Sequence, residues 1–483
     1  MLDLLLVTPS SRKAVYQSLG DDIAAIEPPV WSGLIATFIR NKGYSVKILD
    51  AEALGLTAEE TAKRISDEEP FLTVFVIYGQ QPSASTQCMP QGRAACLAFK
   101  KLCPDSFTMV MGTHASAIPE KTIKEEPYDF VCEGEGPYTI LGFLQNKRNE
   151  DIPGLWWKGG HHTKPAEKIR DLDSELPMQA WDLLDMSLYR AHNWHVFDHP
   201  DERKPYASIQ TSLGCPYKCS FCCINAPFGG AGIRYWSPDN VIAQIDWLHD
   251  HGGVKNIKFP DEMFVLNEPH VIGICDKIIE RGYKLNIWAY ARVDTVKESF
   301  LKKLKQAGVN WLCLGIESGS KHVRDGVSKG RFGDTDIELV VKKIRDAGIY
   351  VIGNYIFGLP DDTHDSMMET FDLAQKLNTE WANFYSAMAY PGSKLYPDAL
   401  KKGLRLPEDW IGYSQHSYET LPLPTETLTG PQVLRFRDWA HIRYFTDPNY
   451  LNMISQKFGT KVVLSIRDML AHKIQRRYIV EAE

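Results

Sequence analysis

The sequence predicts an α/β protein in three parts: a doubly wound parallel sheet, a partial (β/α)6 barrel, and a small, mostly helical C-terminal unit. Three observations predict it. Apolar runs alternate with helical patterns through the first 146 residues. A second alternation starts at residue 205, and from about residue 400 the pattern turns helical and aromatic. The expected units are 1–147, a connector over 148–204, the barrel over 205–398 and the helical unit over 399–483.

The first unit opens with LLLVTP (4–9), an apolar run ending in turn residues. WSGLIATFIRNKGY (31–44) has apolar residues at helical spacing and a glycine near its end. SVKILDAE (45–52) reads as a strand, AEETAKRISD (58–67) as a helix, and FLTVFVIYG (71–79) as a central strand buried on both faces. A helix over 88–102 and strands over 108–114 and 129–136 complete a five-stranded set. Such sheets bind ligands at the carboxyl ends of their strands. No GxGxxG follows the first strand, so a dinucleotide site is not expected. Small residues follow the third, fourth and fifth strands instead, which suits a large planar ligand with a long tail.

In the connector, IPGLWWKGGHH predicts a hairpin about Gly159 and Gly160, and LDSELPMQAWDLLDMSLYR reads as a strap over the domain junction. Barrel strands are expected at 206–213, 254–260, 284–290, 309–316, 349–357 and 382–389. Helices are expected between them at 238–251, 268–281, 297–307, 335–347 and 364–377. The active site of a βα barrel lies where strands end and loops begin.

The 483-residue length exceeds one ordinary core. A net charge of −7 with scattered Lys and Arg disfavours a nucleic-acid surface. The first apolar run has about six residues, against the roughly 20 that span a bilayer, and no secretory signal precedes it. A cytoplasmic protein with no membrane span is expected. There, clustered thiols indicate metal or redox chemistry rather than disulfides. Cys88, Cys96, Cys103, Cys132, Cys275 and Cys313 are dispersed in apolar or helical patterns and read as small buried hydrophobes.

The other four cysteines crowd into GCPYKCSFCCINAPFGG (214–230), directly after the first barrel strand. Structural zinc wants four ligands, usually two separated pairs, and no second pair follows. Cys223 neighbours Cys222 in sequence, so their side chains diverge, and His249 and His251 sit near a helix end. A redox pair, Cys219 and Cys222, leaves Cys215 without a role. An iron–sulfur cluster held by three thiolates, with one iron open to substrate, fits the spacing better. Tyr217 and Phe221 between the ligands are placed to shield it.

CxxxCxxC in the loop after the first strand of a βα barrel resembles the radical S-adenosylmethionine superfamily. The N-terminal stretches 27–51, 112–120 and 131–137 resemble the Rossmann-like cobalamin-binding domain that precedes many such TIM-like barrels. The resemblance covers nearly the whole chain and is to the cobalamin (B12)-dependent radical enzymes. It implies a 4Fe-4S cluster on Cys215, Cys219 and Cys222, with Cys223 packed outside the site. It implies S-adenosylmethionine contacts from Tyr217, Phe221, Asp261, Glu262, Arg292, Glu317, Ser318, Asn354 and Gly358. Gly315 and Gly319 are expected to let the backbone approach that ligand. Cobalamin contacts are expected from Ser10, Tyr78, Gly79, Gln80, Ser83, Ser85, Gly112, Thr113, His114, Glu133, Gly134 and Glu135. The mutases' Asp-x-His-x-x-Gly is absent after the first strand, where the loop is TPSSRK, so cobalamin without histidine coordination is implied.

The implied activity is a C-methyltransferase: S-adenosylmethionine cleavage yields a 5′-deoxyadenosyl radical, substrate loses hydrogen, and methylcobalamin supplies methyl. No other catalytic residue is assigned. A cobalamin-dependent cyclisation or rearrangement is the second reading, and a non-catalytic cobalamin or redox sensor a third. A methylthiotransferase is disfavoured, because the early cysteines are scattered and the tail reads as helical. The implied partners are a small-molecule or carrier-bound substrate and an external electron donor resembling flavodoxin or ferredoxin. Trp410, Tyr413, Tyr418, Trp439 and Tyr444 read first as core and second as a cover over the cavity between domains.

Overall fold

The structure, a computed structural model, describes residues 2–79, 81, 83–161, 164–327 and 335–480. Its N-terminal sheet is built from β1 (Leu2–Thr8), β2 (Val46–Asp50), β3 (Pro70–Val76), β4 (Phe107–Met111), β5 (Phe130–Cys132), β6 (Leu155–Trp157) and β7 (Gly160–His161). The order is β2-β1-β3-β4-β5-β6-β7, with the first five parallel. The predicted Gly159–Gly160 hairpin forms and pairs antiparallel with β5, so this part of the connector extends the sheet.

Alternation along each strand explains the double winding. Leu4, Leu6, Val74 and Met109 share one buried cluster with Ile35, Phe38 and Ile140. Leu5, Val7, Phe75 and Val110 share another with Ile65, Met89 and Phe99. Successive side chains of a strand point to opposite faces, so each central strand is apolar throughout and helices cover both sides. The strand order reverses between β1 and β3, with β2 on one side and β4 on the other, which makes their carboxyl ends the crevice where such sheets take ligands.

Residues 206–213 do not form one strand. β8 (Tyr206–Ser208) ends early, and β9 (Ser212–Leu213) turns away to pair antiparallel with β10 (Arg234–Tyr235). A partner 50 residues on accompanies the break: the Asp261 carboxylate accepts from the Thr211 N–H at 3.0 Å, which takes that group out of the ladder. β11 (Asn256–Phe259), β12 (Asn286–Arg292), β13 (Val309–Glu317), β14 (Tyr350–Phe357) and β15 (Trp381–Ser386) follow. With β8 they give an all-parallel six-stranded sheet in the order β15-β14-β13-β12-β11-β8.

The connector plugs the bottom of this curl. Trp194 packs against Trp288 of β12 (5.2 Å), Trp311 of β13 (5.6 Å) and Trp381 of β15 (6.5 Å). One ring reaches three strands of the sheet only from inside it. Helices at Gly430–Phe445, Pro448–Phe458 and Thr460–Ala471 pack on the β15 side. Trp410, Tyr413 and Tyr444 are buried core, while Tyr418 and Trp439 are 46% and 39% exposed. None of the five borders the cavities described below. No helix among the described residues is long and apolar enough to cross a membrane.

Candidate active site

The cysteine loop hangs from the β9–β10 ribbon. Gly214 sits at φ +90°, and a Cβ there would lie 2.4 Å from the Gly232 carbonyl oxygen, so only glycine lets the loop's two arms meet. Gly232 N–H donates back to Cys215 O at 3.0 Å. Asp261 braces the entry, accepting also from the hydroxyls of Thr211 (3.1 Å) and Ser212 (2.6 Å). Burial raises its pKa to about 6 despite these bonds.

Burial pushes the Cys215 thiol up to about 11 and the Cys223 thiol up to about 12, and it raises Cys222 well above the ordinary value. Such thiols become thiolates when a bound cation compensates the charge. Among the described residues no three His, Cys, Asp or Glu side chains are arranged to hold an ion. The fit to a cluster therefore rests on the donor set: three cysteines in one glycine-framed loop, of which Cys222 lines the barrel mouth while Cys215 and Cys219 border neither cavity.

Two cavities meet beside this loop. A cleft lies between the sheets, lined from β1 and β3 by Thr8, Ser11, Arg12, Tyr78 and Gly79, and from the barrel by Gln210, Asp261 and Glu262. A second is the barrel mouth, lined by Phe221, Cys222, Cys223, Glu262, Arg292, Glu317 and Asn354. Glu262 and Gln81 border both.

The residues expected around S-adenosylmethionine divide accordingly. Phe221, Glu262, Arg292, Glu317 and Asn354 line the mouth. Glu317 ends β13 at φ +67°, where the register against β14 shifts, and this re-aims its side chain. Arg292 already has a carboxylate: it grips Asp294 through two bonds of 2.9 Å, and its guanidinium lies 4.0 Å from the Tyr217 ring centre. Asn354 donates to Cys313 Sγ at 3.0 Å and accepts from Asn383 at 2.9 Å. Asp261 faces the cleft instead. Ser318 is buried against the Thr370 hydroxyl (3.0 Å). Gly319 packs on the helix His364–Leu377, where a Cβ would come within 2.5 Å of Glu369 O. Gly358, at φ +78°, faces Val433 rather than either cavity, while Gly315 does line the mouth.

Of the residues expected around cobalamin, Tyr78, Gly79 and Thr113 line the cleft and Ser83 lines the mouth. Gln80 lies outside the described residues. Ser10, Ser85, Gly112, His114, Glu133, Gly134 and Glu135 border neither cavity, and most have internal work. His114 is buried edge-on to Trp410 at 4.5 Å, and burial lowers its pKa to about 3, so it stays neutral. Ser85 donates to Ile77 O and accepts from His114 N–H at 3.0 Å. Gly112 carries φ +146°, and a Cβ would meet Ile77 O at 2.0 Å. Glu133 accepts from Trp156 Nε1 at 2.7 Å, Gly134 N–H donates to Ser116 at 3.1 Å, and Glu135 pairs with Arg234. The cleft still fits a large ligand. Tyr78 stacks on Trp31 at 4.5 Å, and its buried hydroxyl has no hydrogen-bond partner among the described residues.

Arg12, Glu52 and Gln210 in the cleft, and Tyr290, Tyr385 and Gln415 in the mouth, were not expected from the sequence, and Ser11 was expected only as part of the loop after the first strand. Ser11 and Glu52 carried a signal, since each follows the carboxyl end of one of two adjacent strands. Gln415 carried none: its amide pairs with both backbone groups of Ser386, capping the edge of β15 (2.8 and 2.9 Å).

A doubly wound sheet and a partial barrel share one cleft, with a three-cysteine loop beside the barrel mouth, which is the arrangement the resemblance to cobalamin-dependent radical enzymes implies. Residues 16–144 match the B12 binding domain family and residues 209–374 match the Radical SAM superfamily. The chain belongs to the cobalamin-dependent radical S-adenosylmethionine enzymes, which use cobalamin, S-adenosylmethionine and a 4Fe-4S cluster. It is 28% identical over 481 residues to an uncharacterised methyltransferase of Pyrococcus horikoshii, covering 97% of this chain and 98% of that one. It is 23% identical to the anaerobic magnesium-protoporphyrin IX monomethyl ester cyclase of Cereibacter sphaeroides, over 87% of this chain and 67% of that one. The fold is shared with TsrM, a radical S-adenosylmethionine methyltransferase from Kitasatospora setae, at a TM-score of 0.66 and 17% identity, over 93% of this chain and 90% of that one.

Proposed function

We propose that the chain is a C-methyltransferase acting on an unactivated carbon. The observation that carries this reading is the shared wall: Glu262 and Gln81 border both the inter-sheet cleft and the barrel mouth. A substrate in one space is then within reach of a ligand in the other. When bound, the cofactors supply a 5′-deoxyadenosyl radical at the mouth and a transferable methyl group at the cleft.

The chain's own residues bind, orient and exclude water. Cys215, Cys219 and Cys222 would hold the cluster. Phe221, Glu262, Glu317 and Asn354 would hold S-adenosylmethionine, with Arg292 and Tyr217 stacked beside it. Tyr78, Gly79 and Thr113 would face cobalamin. The aromatic plug fills the barrel from below and Gln415 borders the mouth, and a dry cavity protects a reactive carbon. Substrate and electron donor belong to this proposal as a small or carrier-bound molecule and a flavodoxin- or ferredoxin-like protein, in the cytoplasm.

Anaerobic turnover tests it. Reconstituted protein with reductant should form methionine and 5′-deoxyadenosine, together with S-adenosylhomocysteine from methyl donation. Cleavage products without S-adenosylhomocysteine would favour the cyclisation reading, which the likeness to the Cereibacter sphaeroides cyclase keeps in view.

A further inference from the structure

We propose that Gln415 is a positioning residue for the ligand of the barrel mouth, and that Arg476 holds it in place. The proposal rests on reading the mouth as the S-adenosylmethionine side of the active site. The barrel is open, and β15 is an edge strand paired with β14 alone among the described residues. At its last residue, Ser386, no further strand supplies ladder bonds. The Gln415 amide stands in for one: Oε1 accepts from the Ser386 N–H at 2.8 Å, and Nε2 donates to Ser386 O at 2.9 Å. A side-chain amide carries the donor and acceptor of a peptide group, so one residue satisfies both. Nε2 also reaches the Tyr390 hydroxyl at 3.3 Å. Ser386 and Tyr390 both line the mouth. Ser386 is 2% exposed, and its Oγ is buried with no hydrogen-bond partner among the described residues. Leaving such a hydroxyl unpaired is costly unless a ligand supplies the partner, so this wall is one that a bound ligand would touch.

The Gln415 amide is spent on protein atoms, so it acts through Ser386 rather than on the ligand. Its own segment is fixed from two sides. Arg476, 5% exposed, donates to Gln415 O (2.9 Å), Ser417 O (3.2 Å) and the Thr420 hydroxyl (2.9 Å). Both Asp438 carboxylate oxygens accept from the same guanidinium at 2.9 Å, so the buried charge is paired. From the N-terminal unit, Gln17 Nε2 donates to His416 O (2.7 Å), and the Ser414 hydroxyl donates to Val15 O (3.0 Å). A planar guanidinium can serve this many acceptors at fixed angles, which a lysine ammonium cannot. If Gln415 turned away, the Ser386 N–H and carbonyl would lose their partners and the end of β15 would open. Only the fraction of molecules with the wall in place would then bind, and apparent affinity falls by that fraction.

The test is anaerobic equilibrium dialysis of S-adenosylmethionine against the full chain with its cluster reconstituted. Gln415→Leu and Arg476→Met should each weaken binding about tenfold, and Arg476→Lys should recover part of the loss. Iron content should stay at the wild-type level in all three, while hydrogen exchange quickens over 384–390 and not over the cysteine loop, 214–223. A merely structural role would instead lower iron and affinity together. Wild-type affinity in Gln415→Leu, or a loss of affinity that tracks a loss of iron, would overturn the proposal. Should Gln415→Leu fail to fold, the two Arg476 variants decide it by the same readings. Failure of the wild type to bind S-adenosylmethionine would instead sink the functional reading. Gln415 would then be judged from exchange alone, where unchanged protection over 384–390 in Gln415→Leu would overturn its role.

Discussion

Lys258 on β11 is bonded to Glu27 from the flank of the N-terminal sheet, with its Nζ 2.9 and 3.1 Å from the two carboxylate oxygens. The side chains are 2% and 7% exposed, and the ammonium also lies 4.9 Å from the Trp288 ring centre. This pair joins the two sheets inside the barrel. Removing one partner strands a buried charge, so Lys258→Met should destabilise the protein by about 3–5 kcal/mol. Removing both charges, in Glu27→Gln with Lys258→Met, should recover more than half of that loss. Urea unfolding followed by tryptophan fluorescence measures both. Additive losses would mean that the two side chains act independently.

The cysteine loop makes a sharper prediction. Alanine at Cys215, Cys219 or Cys222 should reduce iron and sulfide after reconstitution to background. Cys223→Ala should keep wild-type iron. Cys223, expected outside the site, in fact lines the mouth beside Cys222, but it is 3% exposed and lies under Gly392, where a Cβ would sit 3.4 Å from its own. Metal analysis and electron paramagnetic resonance of the reduced protein decide it. Wild-type iron in Cys219→Ala would remove the three-thiolate assignment.

Strand and helix positions were legible because periodicity reports burial, and burial decides these elements. The helices at Glu268–Arg281 and His364–Leu377 match their expected bounds. What was not legible depends on partners distant in sequence. Residues 206–213 have the pattern of one strand, and only Asp261, some 50 residues on, breaks it. Gly112 and His114 look like a ligand loop, yet the glycine answers to Ile77 O and the histidine to Trp410. Loop glycines mark close approach, and the sequence does not say whether backbone or ligand approaches.

Asp50 should give stability a pH dependence of unusual sign. It ends β2, accepting from Ala53 N–H (3.1 Å) and the Tyr189 hydroxyl (3.0 Å) while 6% exposed. Burial, aided by the nearby Glu52 charge, raises its pKa to about 7. The unfolded chain releases this proton near pH 4. Between about pH 4 and 7 the native state holds more protons than the unfolded state, so stability falls as pH rises, by at most about 1.4 kcal/mol per unit. Asp50→Asn keeps the cap and removes the titration. Its stability relative to wild type should rise from pH 4.5 to 7.5 in denaturant titrations. Parallel curves would contradict the assignment.

Asp261 is the residue on which the loop's placement depends. It takes three donors from Thr211 and Ser212, the pair that opens the ribbon ahead of Gly214 and Cys215. His270 Nε2 lies 3.0 Å from the Thr211 hydroxyl and ties the same point to the helix Glu268–Arg281. Asp261→Leu leaves the buried Thr211 N–H without its acceptor, a loss of about 1–3 kcal/mol. That loss falls on a turn rather than on the sheet. The barrel should therefore still fold, while hydrogen exchange quickens over 211–216 and iron incorporation falls several-fold. Asp261→Asn retains one acceptor oxygen and should lie between the two. Slowed exchange or full iron in the leucine variant would show that the thiols are positioned without this brace.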